Sequence, residues 1–86
     1  MEKSLFSKDY AVFLDHLRAV REKAGLTQAQ VGAKLKQTQS FVSKCERGER
    51  RIDIVELRAF CCALAVKLVD FTASFEKALA RRHKRV

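Results

Sequence analysis

The chain has no proline and only three glycines among its 86 residues. Few residues that break a helix, and β-branched residues scattered rather than gathered into runs, favour an all-helical fold. There is no run of about 18 apolar residues, so no transmembrane helix is expected. The stretch MEKSLFSKDY has no apolar region of the signal-peptide kind, which leads to the expectation of a cytosolic, cytoplasmic protein without a membrane partner. Cys45, Cys61 and Cys62 are odd in number and match no metal-ligand spacing, so neither a disulfide framework nor a metal site is expected. They read as small hydrophobes in a reducing compartment, with Cys62 off the apolar face of its helix. His16 and His83 stand far apart, no nucleophile has a recognisable setting, and no glycine loop could cradle a phosphate. An enzyme and a cofactor are therefore not expected, and His16 beside Asp15 reads as a surface residue.

What is present is enough for one domain. Apolar residues make up 48% of the chain, too many for a disordered state, and the length allows a single modest core. The net charge of +8 is unevenly placed: +1 over residues 1–26, +4 over 27–52, −2 over 53–76 and +5 over 77–86. A basic middle and a basic end flank an acidic segment, a pattern suited to one polyanion-binding face and another face turned away from it.

The most informative stretch is TQAQVGAKLKQTQSFVSKCER, residues 27–47. Helical spacing predicts a first short helix over Gln28–Leu35 with Val31 and Leu35 on one face. Thr27 and Gln30 have capping-box spacing, and Leu26 and Val31 occupy the staple positions around them. A second helix is predicted over Gln39–Arg47, with Thr38 as N-cap and Val42 and Cys45 turned inward. Gly32 stands where two closely crossed helices need little or no side chain. Together these features read as a helix-turn-helix, the second helix of which enters the DNA major groove.

Around this motif the pattern predicts three more helices. Residues 1–8 read as a loose arm, and Tyr10, Phe13, Leu14, Leu17, Val20 and Ala24 mark an amphipathic helix over Asp9–Ala24 that Gly25 closes. Gly48 is placed to end the second motif helix, and Arg50 and Arg51 make the following loop basic. Asp53, Glu56 and the pair Ile52 and Leu57 then give a second capping box and staple, starting a core helix whose apolar face holds Ile54, Leu57, Phe60, Cys61 and Leu64. From Val66 onward, Leu68, Phe71, Phe75 and Leu79 form the apolar face of a fifth helix, expected to serve a homodimer interface, with the folding of Phe71 and Phe75 back onto the protomer's own core as the alternative. A domain over residues 9–80 with a frayed basic tail over 81–86 completes the organisation.

The pieces LRAVREKAGLTQAQ, SFVSKCERGERR and ELRAFCCALAVKL resemble the Cro and phage-repressor type of helix-turn-helix regulator, often called Xre-like, over about residues 10–72. The resemblance implies an all-α, five-helix lambda-repressor-like domain and a homodimer on a two-fold double-stranded DNA operator, acting in transcription. Matched residue by residue, it places base contacts at Gln39, Ser40, Ser43 and Lys44, where Gln suits adenine and Lys suits guanine. It places phosphate contacts at Gln28, Lys36, Arg47, Arg50 and Arg51, and a structural ion pair at Arg21 and Glu46. Phe41, aromatic as the family often is here, is expected to pack against the first motif helix, with contact to a thymine methyl as the alternative. Three departures stand out. Lys36 and Gln37 replace the usual glycine and apolar residue in the turn, asking Lys36 for a left-handed conformation; Ala65 replaces a glycine, and Lys67 a Ser-like cap. With a single domain expected, a small-molecule effector is not expected. An antitoxin-like protein-interaction module and a restriction-modification controller are the alternative readings.

Overall fold

The computed structural model describes the backbone of residues 3–84 and the side chains of residues 8–83. The described residues form five helices and no strand: α1 Lys3–Lys23, α2 Gln28–Lys34, α3 Gln39–Glu46, α4 Ile54–Ala63 and α5 Leu68–Lys84. Two ends differ from expectation. α1 starts at Lys3 rather than Asp9, so most of the expected arm is helix, with Met1 and Glu2 outside the described residues. α5 runs through the expected tail as far as Lys84, because Arg82 and His83 both face the Asp9 carboxylate of α1, at 3.9 and 3.2 Å. A partner charge across the seam offsets the repulsion among like charges that fraying would otherwise relieve.

Local signals start the short helices. Thr27 Oγ1 accepts from the Gln30 N–H at 3.1 Å while the Gln30 side chain accepts from the Thr27 N–H at 2.8 Å. Asp53 and Glu56 repeat the exchange at the start of α4, at 2.7 and 3.0 Å, and Thr38 caps α3 through the Phe41 N–H. Each cap satisfies donors that a helix start leaves without partners, a contribution of about 1 kcal/mol.

Four helices end in the same way, with one left-handed residue and a pair of bonds that reach back to the last turn. In α1 and α3 that residue is glycine, Gly25 at φ +76° and Gly48 at +82°. In α2 and α4 it is Lys36 at φ +58° and Ala65 at +60°. After α2, the Gln37 N–H reaches Gly32 O at 2.8 Å and the Lys36 N–H reaches Ala33 O at 3.1 Å. After α4, the Val66 and Ala65 N–H groups reach Cys61 and Cys62 carbonyls at 2.9 and 3.1 Å. Ala65 therefore ends α4 in the conformation glycine would take, and the helix does not run on. Each side chain held there costs about 1–2 kcal/mol.

The core lies where α1, α3, α4 and α5 converge over α2. Leu17, Val31, Val42 and Cys45 are fully buried, with Phe60, Cys61, Leu64 and Phe71 almost so. Each of the Leu, Val and Phe side chains among them adds about 1.5–3 kcal/mol through its removal from water. Phe71 is 2% exposed and packs edge-on to Phe13 at 6.0 Å between centroids. It belongs to the protomer's own core and has no surface to give a second copy, which corrects its placement in a dimer interface. Phe75 leans on the same Phe13 ring at 5.7 Å, and Leu68 also packs on the core. Ile54, expected inside, is 61% exposed: it lies in the first turn of α4 at the open rim of a groove it shares with Leu57, where no other helix covers it. Cys45 and Cys61 are buried, and that burial pushes their thiols up from the usual range, whereas Cys62 is exposed.

Candidate nucleic-acid interface

α2 and α3 cross at close range because Gly32 lets them. A Cβ at Gly32 would stand 2.8 Å from the Thr38 carbonyl oxygen and 3.1 Å from that of Gln37, both backbone atoms, so the turn itself would have to shift to admit it. The glycine thus sets how near the turn comes to α2, and with it the angle at which α3 leaves the body of the protein. Val42 and Cys45 hold the inner face of α3 in the core at 0% exposure. The 3.6-residue period leaves the opposite face in solvent, and Gln39, Ser40 and Lys44 are all exposed on it. Ser43 is half-buried, and its Oγ accepts from the Arg47 guanidinium.

A chain of polar contacts ties this face to the core. The Arg21 Nε and Nη2 atoms donate to the two carboxylate oxygens of Glu46 at 2.6 and 3.1 Å, and Nη1 donates to Leu26 O at 2.9 Å. The Glu46 carboxylate is 1% exposed, so the fork geometry of arginine is what makes its burial tolerable. Glu46 in turn raises the Arg21 pKa, chiefly through that bond. Oε1 of Glu46 also accepts from Gln28 Nε2 at 2.9 Å, and Gln28 Oε1 accepts from Gln39 Nε2 at 2.8 Å. Arg21, Glu46, Gln28 and Gln39 therefore form one path from α1 through α3 and α2 to the first residue of α3. The bond to Gln28 uses one of the two Gln39 amide hydrogens. The other, with Oε1, remains available for the paired bond that an adenine edge accepts and donates.

The basic loop after α3 is more tightly held than its sequence indicates. Arg47 pairs with Glu49 at 2.8 Å, and Arg50 grips Glu56 through both Nη atoms at 2.7 and 3.1 Å. Arg50 also lies over the Phe41 ring at 4.9 Å, and Arg51 over the Tyr10 ring at 4.4 Å. Tyr10 Oη accepts from the Ile52 N–H at 3.1 Å, pinning the end of the loop to α1. Phe41 stacks on Phe60 of α4 at 6.4 Å and shares a small hollow with Leu35 at the end of α2. Tyr10 and Glu56 thus position the loop. Nothing in their spacing distinguishes them from an ordinary apolar-face aromatic and an ordinary cap residue.

His16 is a further correction. Its ring lies 4.7 Å from Phe71, its Nε2 is 2.6 Å from Ser74 Oγ, and burial lowers its pKa, so it belongs to the α1–α5 seam. Among the described residues no group of His, Cys, Asp and Glu is arranged to hold a metal, and no helix is long and apolar enough to cross a membrane.

A capped helix pair in close contact, with one face of its second helix buried and the other polar and solvated, defines a helix-turn-helix domain. Residues 13–72 match the family model described as a helix-turn-helix domain, and the chain belongs to that family. Within it the chain is an XRE-like DNA-binding regulator. It is 36% identical to a solved structure, the XRE-family like protein from Pseudomonas syringae pv. tomato str. DC3000, over 87% of this chain and 92% of that one, with a TM-score of 0.81. A search of curated proteins finds no match.

Proposed function

We infer that the protein is a sequence-specific transcriptional regulator that binds a two-fold operator as a homodimer. The observation that carries this reading is the exposed face of α3, where Gln39, Ser40 and Lys44 face solvent while Gln39 is oriented through Gln28 by a buried ion pair. Orientation before binding lowers the ordering cost of a specific contact. Gln39, Ser40 and Lys44 read base edges in the major groove, with Ser43 beside them. Gln28, Lys36, Arg47, Arg50 and Arg51 meet the phosphates around them. A dimer would place two such helices about 34 Å apart, one turn of DNA. With Phe71 inside the protomer, Leu79 and the outer edges of Leu68 and Phe75 remain for contact with a second copy. Control follows from occlusion or recruitment of polymerase at the bound site, without chemistry or a small-molecule effector, in the cytoplasm.

Selection from a random DNA pool followed by salt-dependent titration tests the reading. Gln39→Ala and Lys44→Ala should each cost about 1–3 kcal/mol on the selected duplex and narrow its advantage over random DNA. Unchanged discrimination in both variants would sink the assigned reading face.

One observation favours a second reading, a module that also docks a protein. Tyr10, Phe13, Ile52, Ile54, Leu57 and Phe75 line an open, largely apolar groove of about 360 Å³ beside α4. An antitoxin-like protein would use such a groove for its partner, and co-purification would reveal it.

A further inference from the structure

Three cations without counter-charges converge on one depression of the surface. Lys34 ends α2, Lys36 follows in the turn and Arg58 stands on α4, and with Leu35, Ala59 and Cys62 they line an open groove of about 540 Å³ between the two helices. Among the described residues no carboxylate pairs with any of the three, whereas Arg21, Arg47, Arg50 and Arg82 each have one. Like charges gathered in a hollow repel one another, and a polyanion laid along the hollow relieves that repulsion. The groove is also continuous with the motif. Leu35 and Ala59 line both this groove and the small hollow beside Gln37 and Phe41, at the start of α3.

Dimensions indicate which polyanion fits. α3 has eight residues, a length of about 12 Å, and the major groove is about 12 Å wide. Charges at the two ends of α3 can therefore reach different strands of one duplex. Arg47, Arg50 and Arg51 lie at its C-terminal end, and Lys36 lies just before its N-terminal end. We propose that the α2–α4 groove is a second backbone-binding surface, in which Lys34 and Arg58 join Lys36 on phosphodiesters of the strand opposite the one met by the Arg47–Arg51 loop. This rests on the DNA-binding reading above and extends its footprint to two residues outside the motif's reading face.

The decisive experiment uses the full chain and a duplex that it selects from a random pool. Each phosphate contact lowers the slope of log Kobs against log salt by about 0.9, which amounts to about eightfold in affinity at 0.1 M salt. The Lys34→Gln/Arg58→Gln double variant should therefore lose about 1.8 from the slope and up to about sixtyfold in affinity. Its preference for the selected duplex over random DNA, and its melting temperature, should stay the same. Cys62 provides a test on the unsubstituted chain. Its thiol is exposed in the groove while Cys45 and Cys61 are buried, so saturating duplex should slow its alkylation by iodoacetamide at least tenfold. A wild-type slope in the double variant overturns the proposal and leaves the DNA-binding reading standing, as does Cys62 alkylation that saturating duplex does not slow. Failure of the unsubstituted chain to bind any duplex overturns both.

Discussion

The helix pair α2–α3 and the seam between α1 and α5 are held together by different means. Between α2 and α3 the fit is one of backbone against backbone at Gly32, with no room for a single extra carbon. Between α1 and α5 the filling is aromatic, Phe13 against Phe71 and Phe75, with His16 on Phe71 and the Asp9–His83 pair at the edge. The first contact fixes an angle; the second supplies buried area. Function should follow the first far more closely than it follows the second, since base contacts depend on where α3 points, while the seam mainly contributes stability.

Substitutions at the two places should separate these roles. Phe71→Ala should cost about 3–5 kcal/mol in urea unfolding, the range for emptying a buried aromatic site. The fraction that remains folded should bind the selected duplex with its preference intact. Gly32→Ala should cost less, about 1–3 kcal/mol, because α2 and α3 can part slightly. Its DNA affinity should nevertheless fall further than that of Phe71→Ala, measured under conditions where both are folded. The reverse order of DNA affinities would break the comparison.

The left-handed helix ends allow a smaller test. Lys36→Gly and Ala65→Gly should each stabilise the protein by about 0.5–1 kcal/mol, since glycine accepts φ near +60° without the Cβ penalty and gives back part of the gain in the unfolded chain. Only Lys36→Gly removes a cation beside α3, so only it should weaken DNA binding while raising the melting temperature. Equal effects of both substitutions on DNA would remove the distinction between the motif's turn and the end of α4.

The smallest effect expected is a pH dependence confined to the seam. Burial, aided by the charge of Arg81 and opposed by a bond at Phe71, lowers the His16 pKa below its usual value of about 6.5. The folded state then binds fewer protons than the unfolded one, so stability is full above about pH 6.5 and declines as pH falls below it. His16→Gln, which cannot titrate and can still donate to Ser74, should flatten the fall of the melting temperature as pH drops below about 6.5. A wild-type slope in that variant would assign the effect to another group.

Most of the motif was legible in the sequence because its determinants are local. Thr27 with Gln30, Thr38 with Phe41 and Asp53 with Glu56 act across three residues, so spacing alone identified them, and the need for a small residue at Gly32 was equally plain. The Arg21–Glu46 pair, 25 residues apart, came only from resemblance to a family. Two placements turned on what covers an apolar face, which period does not say. Phe71 and Ile54 had the right spacing, but α1 covered the first and solvent met the second. Lys36 was marked by its departure from glycine, and the structure gives it the left-handed conformation expected of that place.

The sequence by itself thus determined five helices, the capped starts of α2, α3 and α4, and which face of α3 turns outward, because each depends on groups within one turn of one another. Only the tertiary structure decided that Gln28 links Glu46 to Gln39, that Tyr10 and Glu56 hold the basic loop, and that Lys34, Lys36 and Arg58 share a groove. Those arrangements join residues on separate helices, and their distances depend on how the whole core packs rather than on any local run of the chain.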